Sequence, residues 1–232
     1  MKIELIPIHG FPLVKEGDRL PGFINDFLDN QAETLQPGDI VVVTHSIVSV
    51  AEGKLYQKKS GEERREIAVR EAREIIREEP VLITRTKHGL ITDFSGVDES
   101  NAPPDMFVAL PDDPDSSAAS ISKVLSDKRG FRVPVIITDT QGRPWRKGAV
   151  NLAIGVAGMS PFIHNRGKVD LYNRELKGSL VCLADQVAAA AELVMGQAGE
   201  GIPVVVVRGI AYDSANGTAT EILRKESEDL FS

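Results

Sequence analysis

The sequence predicts an α+β fold with mixed sheets and packed helices, on three observations. Runs of β-branched apolar residues recur along the chain, as in Ile40-Val41-Val42-Val43-Thr44 and Val204-Val205-Val206-Val207, and such runs mark strands buried on both faces. Helical patterns stand between some of them, without the regular strand–helix alternation of a doubly wound fold. Apolar residues make up 42% and charged residues 26% of the 232, which is ordinary globular usage. That length suits a single catalytic domain over residues 1–232, or two interlocked subdomains within it.

Residues 2–8 predict an opening strand, which Gly10-Phe11-Pro12-Leu13 ends in a loop. Residues 23–28 predict a short helix. The turn Pro37-Gly38-Asp39 launches the strand that runs from Ile40 to Thr44 and carries His45 and Ser46 at its far end. Residues 60–78 predict an exposed helix, because Glu66 and Arg70, and Arg70 and Glu74, lie four apart. Ile67, Val69, Ala72, Ile75 and Ile76 give it an apolar side. Residues 81–86 and 90–94 predict a hairpin turning at Lys87-His88-Gly89.

Residues 101–114, rich in Pro and Asp, predict an irregular segment. Asp115-Ser116-Ser117 then offers N-caps for a helix to about residue 128. A buried strand follows over residues 132–138, and beyond it a polar loop over residues 139–148. Residues 184–195 predict an Ala-rich helix that stops at Gly196, and residues 204–207 a last buried strand. The chain has no internal repeat.

A net charge of −7 disfavours nucleic acid or an anionic membrane as a partner, since both reward a basic surface. One cysteine, Cys182, makes no intrachain disulfide, and in Leu180-Val181-Cys182-Leu183 it reads as a small buried thiol. The start Met1-Lys2-Ile3-Glu4 lacks the apolar run of a signal peptide, and no apolar stretch is long enough to span a membrane. A cytoplasmic location is the expectation.

No GxxxxGK[ST] loop is present. Gly196, Gly199 and Gly201 lie between a helix and a strand, the reverse of the dinucleotide fingerprint, and read as a helix stop and turn. Gly96-Val97-Asp98-Glu99-Ser100-Asn101 follows one predicted strand and Thr138-Asp139-Thr140 ends another. The residues alone leave two readings open: hard oxygen ligands for Mg2+ or Mn2+, or turn and cap residues binding local N–H groups. Arg143, Arg146 and Lys147 are open in the same way, as a phosphate clamp or a solvated basic loop, with Trp145 between them as a packing anchor or a stacking ring. His88 and His164 lack any HxxxH or HExxH companion, which argues against zinc.

Taken in order, these segments resemble the coenzyme F420-0:L-glutamate ligases, also called F420 gamma-glutamyl ligases. The resemblance runs through Gly10-Phe11-Pro12-Leu13-Val14-Lys15-Glu16-Gly17-Asp18, Gly38-Asp39-Ile40-Val41-Val42-Val43, Ala51-Glu52-Gly53, Gly96-Val97-Asp98-Glu99-Ser100-Asn101 and Asp112-Asp113-Pro114-Asp115-Ser116-Ser117-Ala118. It continues through Ile137-Thr138-Asp139-Thr140-Gln141-Gly142-Arg143-Pro144-Trp145-Arg146, Ala153-Ile154-Gly155-Val156-Ala157-Gly158, Ala184-Asp185-Gln186 and Val207-Arg208-Gly209 to Glu228-Asp229-Leu230-Phe231.

The resemblance implies an intertwined homodimeric α+β enzyme that uses GTP and two divalent cations, Mg2+ or Mn2+, with potassium as a further ion. Its other substrates would be F420-0, through its lactyl carboxylate, and L-glutamate, joined through an acyl phosphate. By residue, it places one metal on Asp98 and Asp139 and the second on Thr140, and nucleotide contacts on Phe11, Pro12, Leu13, Val14 and Asn101. Its remaining nucleotide positions fall on His45 and Ser46, where the pattern departs. The family commonly has Ser or Thr and then Lys a few residues on, where this chain reads Thr44-His45-Ser46 and Val50. Lys54 and Lys58 are the nearby cations. The usual Asn-Ala-Gly before the first metal Asp is Phe94-Ser95-Gly96 here. A related ligase with another substrate, or a regulator without catalysis, are the alternatives; retention of Asp98, Asp139 and Thr140 opposes the second.

Overall fold

The runs of β-branched residues build one central sheet. The structure, a computed structural model, describes residues 2–31, 34–58 and 63–230. The sheet contains β1 (Glu4–Pro7), β2 (Ile40–Thr44), β8 (Val135–Arg143), β9 (Arg146–Ala157) and β12 (Val204–Arg208), in the order β1-β12-β2-β8-β9. Only β2 and β8 run parallel. The mixed sheet and its packed helices make the fold α+β, as expected.

Alternation along the strands supplies two apolar faces. Val41, Val43, Val135, Ile137, Val204 and Val206 pack under α1 (Leu20–Asp29) and α4 (Pro114–Arg129). Ile40, Val42, Ile136, Val205 and Val207 pack against α5 (Leu183–Met195) on the other side. Helix α5 stops where expected, with Gly196 as its C-cap at φ 71°. For α4 the cap lies two residues earlier than expected: Asp113 accepts from the Ser116 N–H at 2.9 Å. Asp115 is committed elsewhere, accepting from the N–H groups of Val156 at 2.8 Å and Ala219 at 2.7 Å.

A smaller lobe inserts between α2 (His45–Ala51) and α4. It holds β3 (Leu55–Gln57) paired with β7 (Met106–Val108), a sheet of β4 (Ala72–Arg77), β5 (Ile83–Thr86) and β6 (Ile91–Asp93), and a core of Ile67, Ala68, Leu82, Val97, Phe107 and Ala109. Strand β7 lies inside the segment expected to be irregular. The expected hairpin is present as β5 (Ile83–Thr86) and β6 (Ile91–Asp93). The expected helix over residues 60–78 is corrected. Its first residues, 60–62, lie outside the described residues, as does Phe231. The rest divides into α3 (Arg64–Glu71) and β4 (Ala72–Arg77). Strand β4 pairs with β5 through register shifts, and Glu74 meets Arg85 across the strands at 3.0 Å rather than Arg70 along a helix. Inter-strand pairing thus overrode a helical charge pattern whose individual pairs are worth only about 0.2–0.5 kcal/mol.

The expected loop over residues 139–148 is also corrected. Asp139, Thr140 and Gln141 pair with Leu152, Asn151 and Val150, so β8 and β9 continue as a long hairpin. Trp145, at its turn, is 77% exposed. The remaining short strands, β10 (Phe162–His164) and β11 (Leu180–Cys182), pair with each other.

Topology brings several loops to one edge of the central sheet. The parallel strands β2 and β8 reach it together, since Thr44 faces Thr138. Antiparallel pairing places the end of β1 and the start of β12 at the same edge, as Pro7 faces Val205 and Val204 faces Val43. The segment after β1, helix α2 after β2, the outer part of β8 and the segment before β12 therefore converge. In open sheets, ligands bind at such carboxyl ends of parallel strands.

Candidate functional site

A cleft of about 990 Å³ lies at this edge, between the central sheet and the small lobe. Phe11–Val14 border it from the segment after β1, His45 and Ser46 from the start of α2, and Asp139 and Thr140 from β8. The small lobe contributes Asp98 and Asn101. Ten residues assigned to metal or nucleotide by resemblance, scattered over some 130 positions, thus line one cavity of substrate size.

Asp139 carries the most informative geometry. It is 7% exposed, and its contacts are long: His45 Nε2 lies 3.3 Å from one carboxylate oxygen and Gln141 Nε2 donates to the other at 3.4 Å. His45 is itself buried, with Nδ1 3.3 Å from the Ser49 hydroxyl. A second buried acid shows what full pairing looks like. Asp39, 1% exposed, receives two hydrogen bonds from the Arg208 guanidinium at 2.8 and 2.9 Å. Burying a carboxylate is costly unless it is paired or binds a metal, so Asp139 is poorly compensated by this chain alone.

Asp98 reaches the cleft through a contorted turn. Phe94, Ser95 and Gly96 all have positive φ, at 47°, 54° and 69°. Buried Ser95 holds the turn by donating to the Ala68 carbonyl at 2.6 Å and meeting the Thr84 hydroxyl at 2.9 Å. Gly96 is required there, because a Cβ would come within 2.7 Å of the Leu110 side chain. Burial opposes ionisation of Asp98. It is outweighed by hydrogen bonds from the Ser100 hydroxyl and the Glu99 and Ser100 backbone, with the Arg64 charge, so the carboxyl stays below its usual range.

Thr140 sits among neutral oxygen and amide groups. Its hydroxyl donates to Asn151 Oδ1 at 2.6 Å and accepts from Gln197 Nε2 at 2.9 Å. Gln197 belongs to the glycine-containing segment between α5 and β12, whose Gly196, Ala198 and Gly201 also border the cleft. Gly196 stops α5 as its sequence indicates, and the segment it opens also forms part of the cleft wall, which its sequence does not indicate. Asn151 and Gln197 carry no motif, and the fold alone brings them to Thr140.

Arg143 and Arg146 do not border the cleft. The Arg143 guanidinium instead donates to the carbonyls of Gly148 at 3.0 Å and Lys147 at 2.7 Å, closing the hairpin turn. Val50 borders the cleft and is 6% exposed. Neither Lys54 nor Lys58 lines it: Lys54 is 2.7 Å from Asp112, and Lys58 pairs with Glu99. Cys182 stands apart, its thiol pushed up to about 12 by burial, as an inert thiol should be.

The cleft wall is short of positive charge. Glu16, Asp93, Asp98 and Asp139 border it, against Lys15 and Arg64. That balance disfavours a polyanionic ligand unless cations accompany it. Among the described residues, no three His, Cys, Asp or Glu side chains group to hold a metal on their own. The cleft wall instead offers two carboxylates, a hydroxyl and amide oxygens, which are hard-oxygen donors. Such a set suits an ion like Mg2+, which completes its shell with water and substrate phosphates.

The family model described as F420-0:Gamma-glutamyl ligase matches residues 10–209. The chain is 41% identical over 250 aligned positions to the coenzyme F420:L-glutamate ligase of Methanothermobacter thermautotrophicus, covering 100% of this chain and 99% of that one. It is 40% identical to the coenzyme F420:L-glutamate ligase of Methanopyrus kandleri and 37% identical to that of Archaeoglobus fulgidus. Each of these alignments covers 100% of this chain and 97% of the relative.

Proposed function

We propose that this chain, which belongs to the F420-0:gamma-glutamyl ligase family, is a metal-dependent enzyme that joins L-glutamate to the lactyl carboxylate of F420-0 at the expense of GTP. The single observation that carries the metal dependence is the buried, poorly paired Asp139 in a cleft with more carboxylates than cations. Asp98, Asp139 and Thr140 are the residues that would hold Mg2+ or Mn2+. When bound, such ions offset repulsion between the anionic substrates and stabilise charge on the phosphoryl oxygens.

A carboxylate and an amine at neutral pH form a salt, so the carboxylate first needs a leaving group. In the proposed sequence the F420-0 carboxylate oxygen attacks the γ-phosphorus of GTP and GDP departs, leaving an acyl phosphate. The glutamate α-amine then attacks the acyl carbon, inorganic phosphate leaves, and the amine proton passes to solvent. The cleft residues contribute position. Phe11–Val14, His45, Ser46 and Asn101 cradle the nucleotide, and the hydrogen bonds that lower the Asp98 pKa keep it an anion. Holding the reactants in register contributes on the order of 7–11 kcal/mol. The long contacts of Asp139 with His45 and Gln141 leave its carboxylate oxygens available to a cation.

Val50 favours a second reading within the same chemistry. It places an apolar side chain where the family pattern has a lysine, which removes a phosphate-directed charge and points to a nucleotide or acid other than GTP and F420-0. Mass spectrometry decides between the two. Pure protein with F420-0, glutamate, Mn2+ and either GTP or ATP should yield a product heavier by one glutamyl residue with GTP. Product with ATP alone overturns the choice of nucleotide, and no product with either overturns the substrate assignment.

A further inference from the structure

Arg64 is the only guanidinium on the cleft wall among the described residues. It opens α3, whose Ile67 and Ala68 are fully buried in the small-lobe core, so its backbone is firmly placed. Its Nε donates to the Val97 carbonyl, and its guanidinium carbon lies 4.5 Å from the centre of the Phe94 ring. Those contacts use one N–H and one face of the plane. The two terminal nitrogens make no hydrogen bond to any described residue.

The terminal fork of this half-buried guanidinium is left unused by the described residues and lies on the cleft wall, where a ligand can reach it. The fork is planar, always charged and shaped to grip two oxygens of a carboxylate or phosphate at once. Its neighbours fix the location. Val97, which binds Nε, precedes Asp98, and the Arg64 charge acts on the Asp98 carboxyl. With Arg143 turned into its own hairpin and Lys54 and Lys58 engaged with Asp112 and Glu99, the wall's other cation is Lys15, which lies across from the small lobe in the segment after β1.

We propose that Arg64 is a substrate-binding residue that grips a substrate oxyanion through its two terminal nitrogens, beside Asp98. The inference rests on the ligase reading above. The oxyanion has two sources in that reaction, a phosphate of the nucleotide and the carboxylate of the acceptor, and equilibrium binding separates them. Calorimetry would measure the affinities of wild type, Arg64→Gln and Arg64→Lys for Mg2+-GTP and, separately, for F420-0, alongside thermal unfolding.

Arg64→Gln is expected to weaken one ligand about 10- to 150-fold, as loss of a charged hydrogen-bonded pair does. The other ligand should stay within about threefold and the melting temperature nearly unchanged, and Arg64→Lys should recover part of the loss. The ligand that weakens identifies the source. Wild-type affinities for both ligands in Arg64→Gln would overturn the proposal. So would a joint loss of both affinities with a lowered melting temperature that Arg64→Lys leaves unrepaired, because Arg64 would then serve only to pack Phe94 and Val97. If wild type binds neither ligand and makes no product, the ligase reading fails and the oxyanion grip falls with it.

Discussion

Asp39 and Asp139 are both buried acids on or beside the central sheet, yet their partners set opposite roles. Asp39 is locked to Arg208 by two hydrogen bonds and joins the start of β2 to the end of β12. Removing one member of such a pair leaves the other charge uncompensated, which costs about 3–5 kcal/mol. Asp39→Asn should therefore lower stability by about that much in urea denaturation, with catalysis intact in the folded fraction. Asp139 has only its contacts with His45 and Gln141, so the apo protein should tolerate its neutralisation. The two substitutions carry out the same chemical change, and the difference in outcome isolates ligand binding from structure. A stability loss under about 1 kcal/mol for Asp39→Asn would show the Arg208 pair to be far weaker than its geometry indicates.

At the scale of elements, close packing of β9 on α4 depends on one position without a side chain. A Cβ at Gly155 would stand 2.3 Å from the Pro114 carbonyl oxygen, at the first turn of α4. Gly155→Ala must push the helix start away and should destabilise by about 1–3 kcal/mol, read as a lower denaturation midpoint. An unchanged midpoint would mean that α4 shifts freely. The segment between β10 and β11 presents a different case. Val169, Leu171 and Tyr172 are 61%, 99% and 78% exposed there, held by a bridge between Val169 and Glu175. A second copy of this chain is the proposed cover for those side chains, in keeping with the homodimer that the resemblance implies. Light scattering should give a dimer mass for wild type and a monomer for the double substitution Leu171→Asp with Tyr172→Asp. A wild-type monomer, or a dimer that survives both changes, would contradict that assembly.

Across the whole molecule, what the sequence made legible follows burial. Strands β2 and β12 and the first residues of β8 are covered on both faces and therefore read as continuous valine and isoleucine runs. Strand β4 has charged residues at Arg73, Glu74 and Arg77 and largely exposed isoleucines, so its local pattern resembled a helix and only pairing with β5 decided it. No helix among the described residues is long and apolar enough to cross a membrane. The site divides in the same way. Asp98, Asp139 and Thr140 stood out because they sit in recognisable segments, whereas Gln197 lies 57 positions from Thr140 and Arg64 33 positions from Val97. Contacts at such separations exist only once the sheet edge and the small lobe have closed on each other. The most direct test of the account is Mn2+ binding and ligation by Asp139→Asn. Electron paramagnetic resonance would count Mn2+ bound in the presence of GTP, and the glutamylation assay would follow turnover. The account predicts at least one Mn2+ fewer per chain, ligation abolished, and a melting temperature close to wild type. Wild-type Mn2+ binding and substantial turnover in well-folded Asp139→Asn would contradict it.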